Sequence, residues 1–185
     1  MFKITHEVEK FPENFTGMVE YTTGNKYWYF NGILHRVDGP AIDCINGDKY
    51  WYLNGKVHRE DGPAVERVDG SKEWWLNSEL HRKNGPAVEC ADGTKHWYLN
   101  GKLHREDGPA VEYRNGDKVW YFNDKLHRED GSAVEFANGD KEWWLNNKRF
   151  SCQKTWQKKL DKSKPTCNGK TVEIDGKKYK LTLVY

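Results

Sequence analysis

From residue 17 onward the chain alternates short aromatic or β-branched runs with clusters of turn residues. Before residue 150 no window carries apolar positions at the three-to-four spacing of an amphipathic helix. Lys49-Tyr50-Trp51-Tyr52-Leu53 is typical: in an extended strand Trp51 and Leu53 share one face, while Tyr50 and Tyr52 share the other. Ala64-Val65-Glu66-Arg67-Val68 reads as a second strand of the same kind. Three sorts of turn separate such runs. Asn or Asp before Gly, as at Asn46-Gly47 and Asp69-Gly70, predicts a type I′ hairpin turn, which needs positive φ at both central residues. A second turn follows the aromatics at Asn31-Gly32, Asn54-Gly55 and Asn100-Gly101, and as Asn77-Ser78, Asn123-Asp124 and Asn146-Asn147 elsewhere. The third is an Asp-Gly-Pro corner, where Pro cannot donate to a ladder and marks an edge or a strand start.

These elements recur at a fixed spacing of 23 residues, seen in Gly24, Gly47, Gly70, Gly93, Gly116 and Gly139. A Lys follows two residues after each Gly, and a Trp two residues after that, from Trp28 to Trp143. His-Arg pairs recur at His35, His58, His81, His104 and His127. Gly-Pro-Ala follows four of them, becoming Gly131-Ser132-Ala133 in the fifth. The pattern predicts an all-β chain: an elongated, single-layer antiparallel meander with one hairpin per unit, about 10 Å per hairpin. Its parts are an N-terminal segment (1–16), an array of a half repeat and six units (17–150), and a C-terminal cap (151–185). In the cap, residues 151–160 predict a short helix with Ser151 as N-cap and Trp156 and Leu160 as an i, i+4 pair. A closing hairpin follows, from Thr171–Ile174 through Asp175-Gly176 to residues 179–184.

Composition narrows the picture. Only 36% of residues are hydrophobic and 31% are charged, so burial must come from a thin structure rich in aromatics, which make up 14%. The net charge of +2 conceals an asymmetry, because residues 151–185 hold nine Lys against Asp161, Glu173 and Asp175 while residues 1–150 are net acidic. A nucleic-acid-binding domain carries its basic stripe along the body, so nucleic acid is the less favoured partner. Cys44, Cys90, Cys152 and Cys167 show no CxxC spacing, which points to reduced thiols rather than zinc or a redox pair. No membrane span is expected, and the reading is cytoplasmic.

The Trp-Tyr-Leu-Asn-Gly and His-Arg-Glu-Asp-Gly-Pro-Ala-Val segments resemble the MORN-type hairpin repeats in their bacterial and phage variants, over residues 17–150. The chain departs from the usual Gly-x-Tyr-x-Gly pattern of that family. The resemblance implies a scaffold for protein contacts, and sometimes lipid contacts, of the immunity or antitoxin kind or a phage inhibitor of a host system.

An enzyme needs one constellation placed once. Here His-Arg recurs five times in one context, which is what a structural position produces, so no catalytic residue, metal or cofactor is expected. Asp38, Asp61, Asp107 and Asp130 can cap the corner or pair with the nearby Arg. Asn84 keeps the oxygen without the charge, which favours the hydrogen bond over the ion pair. The candidate partner-binding residues are the arginines Arg36, Arg59, Arg82, Arg105 and Arg128, and the second aromatic column Tyr52, Trp75, Tyr98, Tyr121 and Trp144 (with Tyr29), read as an open face opposite a Trp core. Positions that vary between units, namely Val37, Glu60, Lys83, Glu106 and Glu129, would set specificity for a protein partner. The alternative is capture of an anionic small molecule or nucleotide by the arginine row.

Overall fold

In a computed structural model the described residues are 2–3, 13–163, 171–174 and 177–180. The array is all-β. One long meander pairs Gly17–Glu20 with Lys26–Phe30, then runs through two-residue strands such as Ile42–Asp43, Lys49–Tyr50, Val65–Glu66 and Lys72–Glu73 to Lys141–Leu145. Its neighbours are antiparallel except at the start, where Phe2–Lys3 lies parallel to Gly17–Glu20.

The register sorts the two faces of this sheet. Across it Glu20, Lys26, Asp43, Lys49, Glu66, Lys72, Glu89, Lys95, Glu112, Lys118, Glu135 and Lys141 stand side by side, acid and base in strict alternation. Opposite-charge pairs of this kind favour one register, because a one-residue slip would exchange the faces. The other face carries Ile42, Tyr50, Val65, Val88, Val111, Val119 and Val134, and holds the core.

The predicted five-residue strands are interrupted in the middle units. Lys49–Tyr50 belongs to the long sheet, while Tyr52–Leu53 pairs with Lys56–Val57 in a small ladder of its own. Trp51 sits at the break: its N–H donates to Ala64 O at 2.8 Å and its carbonyl accepts the His58 N–H at 3.1 Å. Each unit therefore makes two hairpins rather than the one expected. The second ladder folds over the first, so that Leu103, Tyr121, Leu126 and Trp144 pack against Val111, Val119 and Val134. The alanines Ala41, Ala64, Ala87, Ala110 and Ala133 that end the corners are fully buried.

The turn at the repeating glycine is not the type I′ expected there. At Asn46-Gly47 only Gly47 has positive φ (100°), Gly47 N–H donates to Cys44 O, and Cys44 N–H to Asp48 O. This is a type I turn closed by a glycine bulge, the common three-residue hairpin loop. The type I′ geometry belongs to the second turn, where Asn54 and Gly55 have φ of 50° and 75°.

Helix α1 spans Gln153–Ser163. It begins one residue later than expected, with Cys152 as its cap: Thr155 Oγ1 donates to Cys152 O at 2.8 Å, and Trp156 N–H reaches the same carbonyl. Trp156 and Leu160 are buried against the end of the array, and Trp156 Nε1 donates to Arg128 O at 3.2 Å. Thr171–Ile174 pairs with Lys177–Lys180 as the predicted closing hairpin; its Asp175-Gly176 turn, residues 181–185 and Cys167 lie outside the described residues. Most of the N-terminal segment does too, and no helix among the described residues is long and apolar enough to cross a membrane.

Candidate functional site

The His-Arg-x-Asp-Gly-Pro corners line up along one side of the array, and each holds its arginine in the same way. In the second unit the Arg59 guanidinium lies over the Trp51 ring, 4.2 Å from its centroid. Its Nε donates to Asp61 Oδ1 at 2.8 Å, and its Nη1 to Pro63 O and Glu66 Oε1, each at 3.2 Å. The opposite face rests on Gly62, where a Cβ would stand 2.9 Å from Arg59 Cζ. The corner glycine permits this approach, since a Cβ there would press on the guanidinium and displace it from the ring. Arg36, Arg105 and Arg128 repeat the sandwich on Trp28, Trp97 and Trp120. Their Nε donates to Asp38, Asp107 and Asp130 at 2.7–2.9 Å. Four of the five candidate arginines thus turn inward, with one ring-stacked face, Nε and Nη1 already engaged. The arginine beside each of Asp38, Asp61 and Asp107 holds that carboxyl below the usual aspartate range.

The third corner departs from this plan. Arg82 stacks on Trp74 at 3.7 Å and donates Nη1 to Pro86 O and Glu89 Oε1 at 3.0 and 2.8 Å. Among the described residues it makes no bond to Asn84. The expectation that Asn84 keeps the corner hydrogen bond is therefore corrected: loss of the charge removed the contact as well.

The histidines join units. The Nδ1 of His35, His58, His81 and His127 accepts the N–H of Asn54, Asn77, Asn100 and Asn146 in the next hairpin at 3.1–3.2 Å. His58, His104 and His127 turn Nε2 toward Glu60, Glu106 and Glu129 at 3.5–3.7 Å. The Nδ1 contacts link one hairpin to the next. Among the described residues no group of His, Cys, Asp and Glu is placed to hold a metal ion.

The second aromatic column is half-buried rather than an open face. Tyr121 and Trp144 pack on the valine core. Trp75 and Trp144 donate Nε1 to Glu73 and Glu142 at 2.8 and 2.9 Å. Burial pushes the Tyr98 and Tyr121 phenols up, and pushes Tyr29 to about 12 with Tyr21 adding to the effect. Trp28, Trp51, Trp74, Trp97 and Trp120, expected as core, are also half-buried, with the arginines covering one ring face.

What remains open is the outer edge of the corners. Val37 is 83% exposed, and the side chains of Glu60, Glu106 and Glu129 are 85%, 81% and 72% exposed. Lys83 is exposed as well. Grooves of 630, 640 and 560 Å³ separate successive corners, floored by Trp51 and Leu53, by Trp97 and Leu99, and by Trp120 and Phe122. Sequence reasoning missed the inner Glu partner of four arginines (Glu66, Glu89, Glu112 and Glu135), although each stands seven residues after its Arg. After Arg36 that position is Asp43, which makes no such bond among the described residues. No protein-family model matches this chain, and no curated protein resembles it closely enough to be counted a relative.

Proposed function

We propose that this chain is a non-enzymatic repeat scaffold that binds a protein partner along the ridge of its corners. The observation that carries the reading is a division of labour within the repeat. Trp, Arg, Gly and the inner Glu are consumed by the fold, while the residues that differ between units stand on the outer edge, beside grooves with an apolar floor. The exposed row, apolar at Val37, basic at Lys83 and acidic at Glu60, Glu106 and Glu129, gives the ridge a mixed chemistry of the kind that recognition of a protein surface uses. The resemblance to MORN-type arrays points the same way, and an inhibitor or immunity role of the kind it implies would use such a ridge. Capture of an anion by the whole arginine row draws no support from guanidiniums already paired with Asp and Glu.

Affinity capture from the native cells tests the proposal. The wild type is expected to retain one protein in stoichiometric amount. A variant with Glu60, Glu106 and Glu129 all changed to Lys is expected to lose it. Absence of any stoichiometric protein, or equal retention by the variant, overturns the reading.

A further inference from the structure

The third corner is a copy of its siblings that lacks the two outer carboxylates and keeps the inner one, Glu89. Where the other corners have Asp38, Asp61, Asp107 and Asp130, it has Asn84. Where the units on either side have Glu60 and Glu106, it has Lys83. The arginine is nevertheless retained, still stacked on Trp74 and still held through Nη1. Arg82 Nε, which in each sibling donates to an Asp, has no acceptor among the described residues. Its side chain is also the most open of the row, at 30% exposure against 21–24% for the others. The backbone differs as well: Gly85 adopts a φ of +149°, while the corner glycines of the other units stay out of the positive region. This corner forms one wall of the 640 Å³ groove floored by Trp97 and Leu99. The facing wall carries Arg105, Glu106 and Asp107, with Asp107 already paired to Arg105 and Glu106 turned to His104.

We infer that this groove is a carboxylate-binding site, centred on Arg82 and Lys83. The siblings show the complement that the empty position takes: a carboxylate oxygen 2.7–2.9 Å from the arginine Nε. In the third corner that oxygen is supplied from outside. Lys83 adds a mobile cation, the Asn84 amide adds neutral donors, and the Trp97–Leu99 floor accepts the apolar or planar body carrying the acid. A guanidinium already fixed by stacking and by two Nη1 bonds loses little freedom when it binds, so the site is preorganised. The inference goes beyond the scaffold reading and stands without it. The carboxylate belongs either to an acidic side chain of a partner or to a free small acid.

The arginine Nε–H resonances of the intact protein report on the site directly. Benzoate is expected to shift the Arg82 signal most and to leave Arg36 and Arg59, which lie outside this groove, in place, and neutral benzamide is expected to shift none. Asn84→Asp fills the position from within and restores the sibling arrangement; it should keep the fold and weaken benzoate about tenfold or more. Asp107→Asn should create a second responsive arginine at Arg105. A blocked tetrapeptide with a single Glu separates the sources. If it acts at lower concentration than benzoate, the site serves a protein side chain; if the two act alike, a free acid suffices. The inference fails if benzoate leaves Arg82 unmoved, if it moves all five row arginines equally, or if Asn84→Asp binds it as well as the wild type.

Discussion

Changing Gly108 to Ala tests the arginine sandwich at one of its two tightest corners, the other being Gly131. The added Cβ would stand 2.8 Å from Arg105 Cζ and 3.0 Å from Nε, where carbon contacts prefer roughly 3.5–4.0 Å. The guanidinium has nowhere to retreat, because the Trp97 ring lies 4.2 Å away on its other side. Its edge is also tied to Pro109 O at 3.3 Å and Glu112 at 3.1 Å. Moving it by the required ångström forfeits most of the cation–π contact, about 1 kcal/mol at a partly exposed site. It also loosens the bonds to Pro109 and Glu112, together about 1 kcal/mol after screening by solvent. Gly108 is not among the positive-φ glycines, so Ala meets no left-handed strain. Ala instead restricts the unfolded chain, which returns about 0.4–1 kcal/mol. The net expectation is a loss of roughly 1–2 kcal/mol, read by urea unfolding followed through tryptophan fluorescence. The decisive measurement repeats the substitution in an Arg105→Ala background. With the guanidinium gone, Gly108→Ala should become neutral or stabilising. An equal loss in both backgrounds would refute the sandwich as the reason for glycine.

The same logic gives three further expectations. Ser78 occupies the left-handed region at φ 67° where other units place Gly, and its side chain makes no hydrogen bond among the described residues, so Ser78→Gly should stabilise by about 1 kcal/mol in the same assay. Asp124→Gly at the equivalent turn should bring no such gain, because Asp124 Oδ1 accepts the Leu103 N–H at 2.8 Å. Trp156 is 3% exposed, and Trp156→Ala should cost about 3–5 kcal/mol, with hydrogen exchange accelerating first in the last two units rather than along the whole array. Burial lowers the pKa of His96 below its ordinary 6.5, partly opposed by Asp92, so its neutral form is favoured in the fold. Above pH 6.5 folded and unfolded states are both neutral there; as pH falls below 6.5 the unfolded chain takes the proton first and stability declines until the folded pKa is passed. His96→Val, which copies Val119 of the next unit, should abolish that portion of the acid sensitivity in unfolding titrations. Acid loss of the Asp38, Asp61 and Asp107 pairs lies lower, below their ordinary 3.8.

The hairpin array and the C-terminal helix and hairpin were legible in the sequence because their signals are local. Turn residues and alternation sit within a few positions of the elements they specify, as in Asn54-Gly55 between Leu53 and Lys56. The type of the turn at the repeating glycine was not legible, since Asn-Gly serves both a type I′ loop and a type I turn with a bulge. What decides is how many residues the flanking strands leave unpaired. The break at Trp51 was hidden for a related reason: it depends on a bond to Ala64, thirteen residues away in the chain. The site was half visible. The recurrence of His-Arg in one context argued for structure, but whether Arg105 faced its Asp or the solvent depended on Trp97 and Gly108 closing on it from two sides.

The pattern of variation along the ridge follows from what each bond is worth. Units are knitted by backbone bonds that cross from one to the next, such as Arg59 N–H to Trp75 O and Gly55 N–H to Leu34 O. A single unit therefore cannot satisfy itself, and replacing Trp, Gly or Arg at one corner injures two units at once. The outer carboxylates are different. Asp107 pairs with Arg105 in nearly full solvent, where such pairs contribute little, and Glu106 reaches only to the edge of His104. The fold can therefore lose an outer carboxylate cheaply, while losing an inner Arg or Gly is costly. The fold thus leaves the first kind of position open to variation and holds the second fixed. Lys83-Asn84 falls on the permissive side of that line while Arg82 and Gly85 stay on the other. The third corner could thus be turned from a self-satisfied turn into a binding site by two substitutions that leave the array standing.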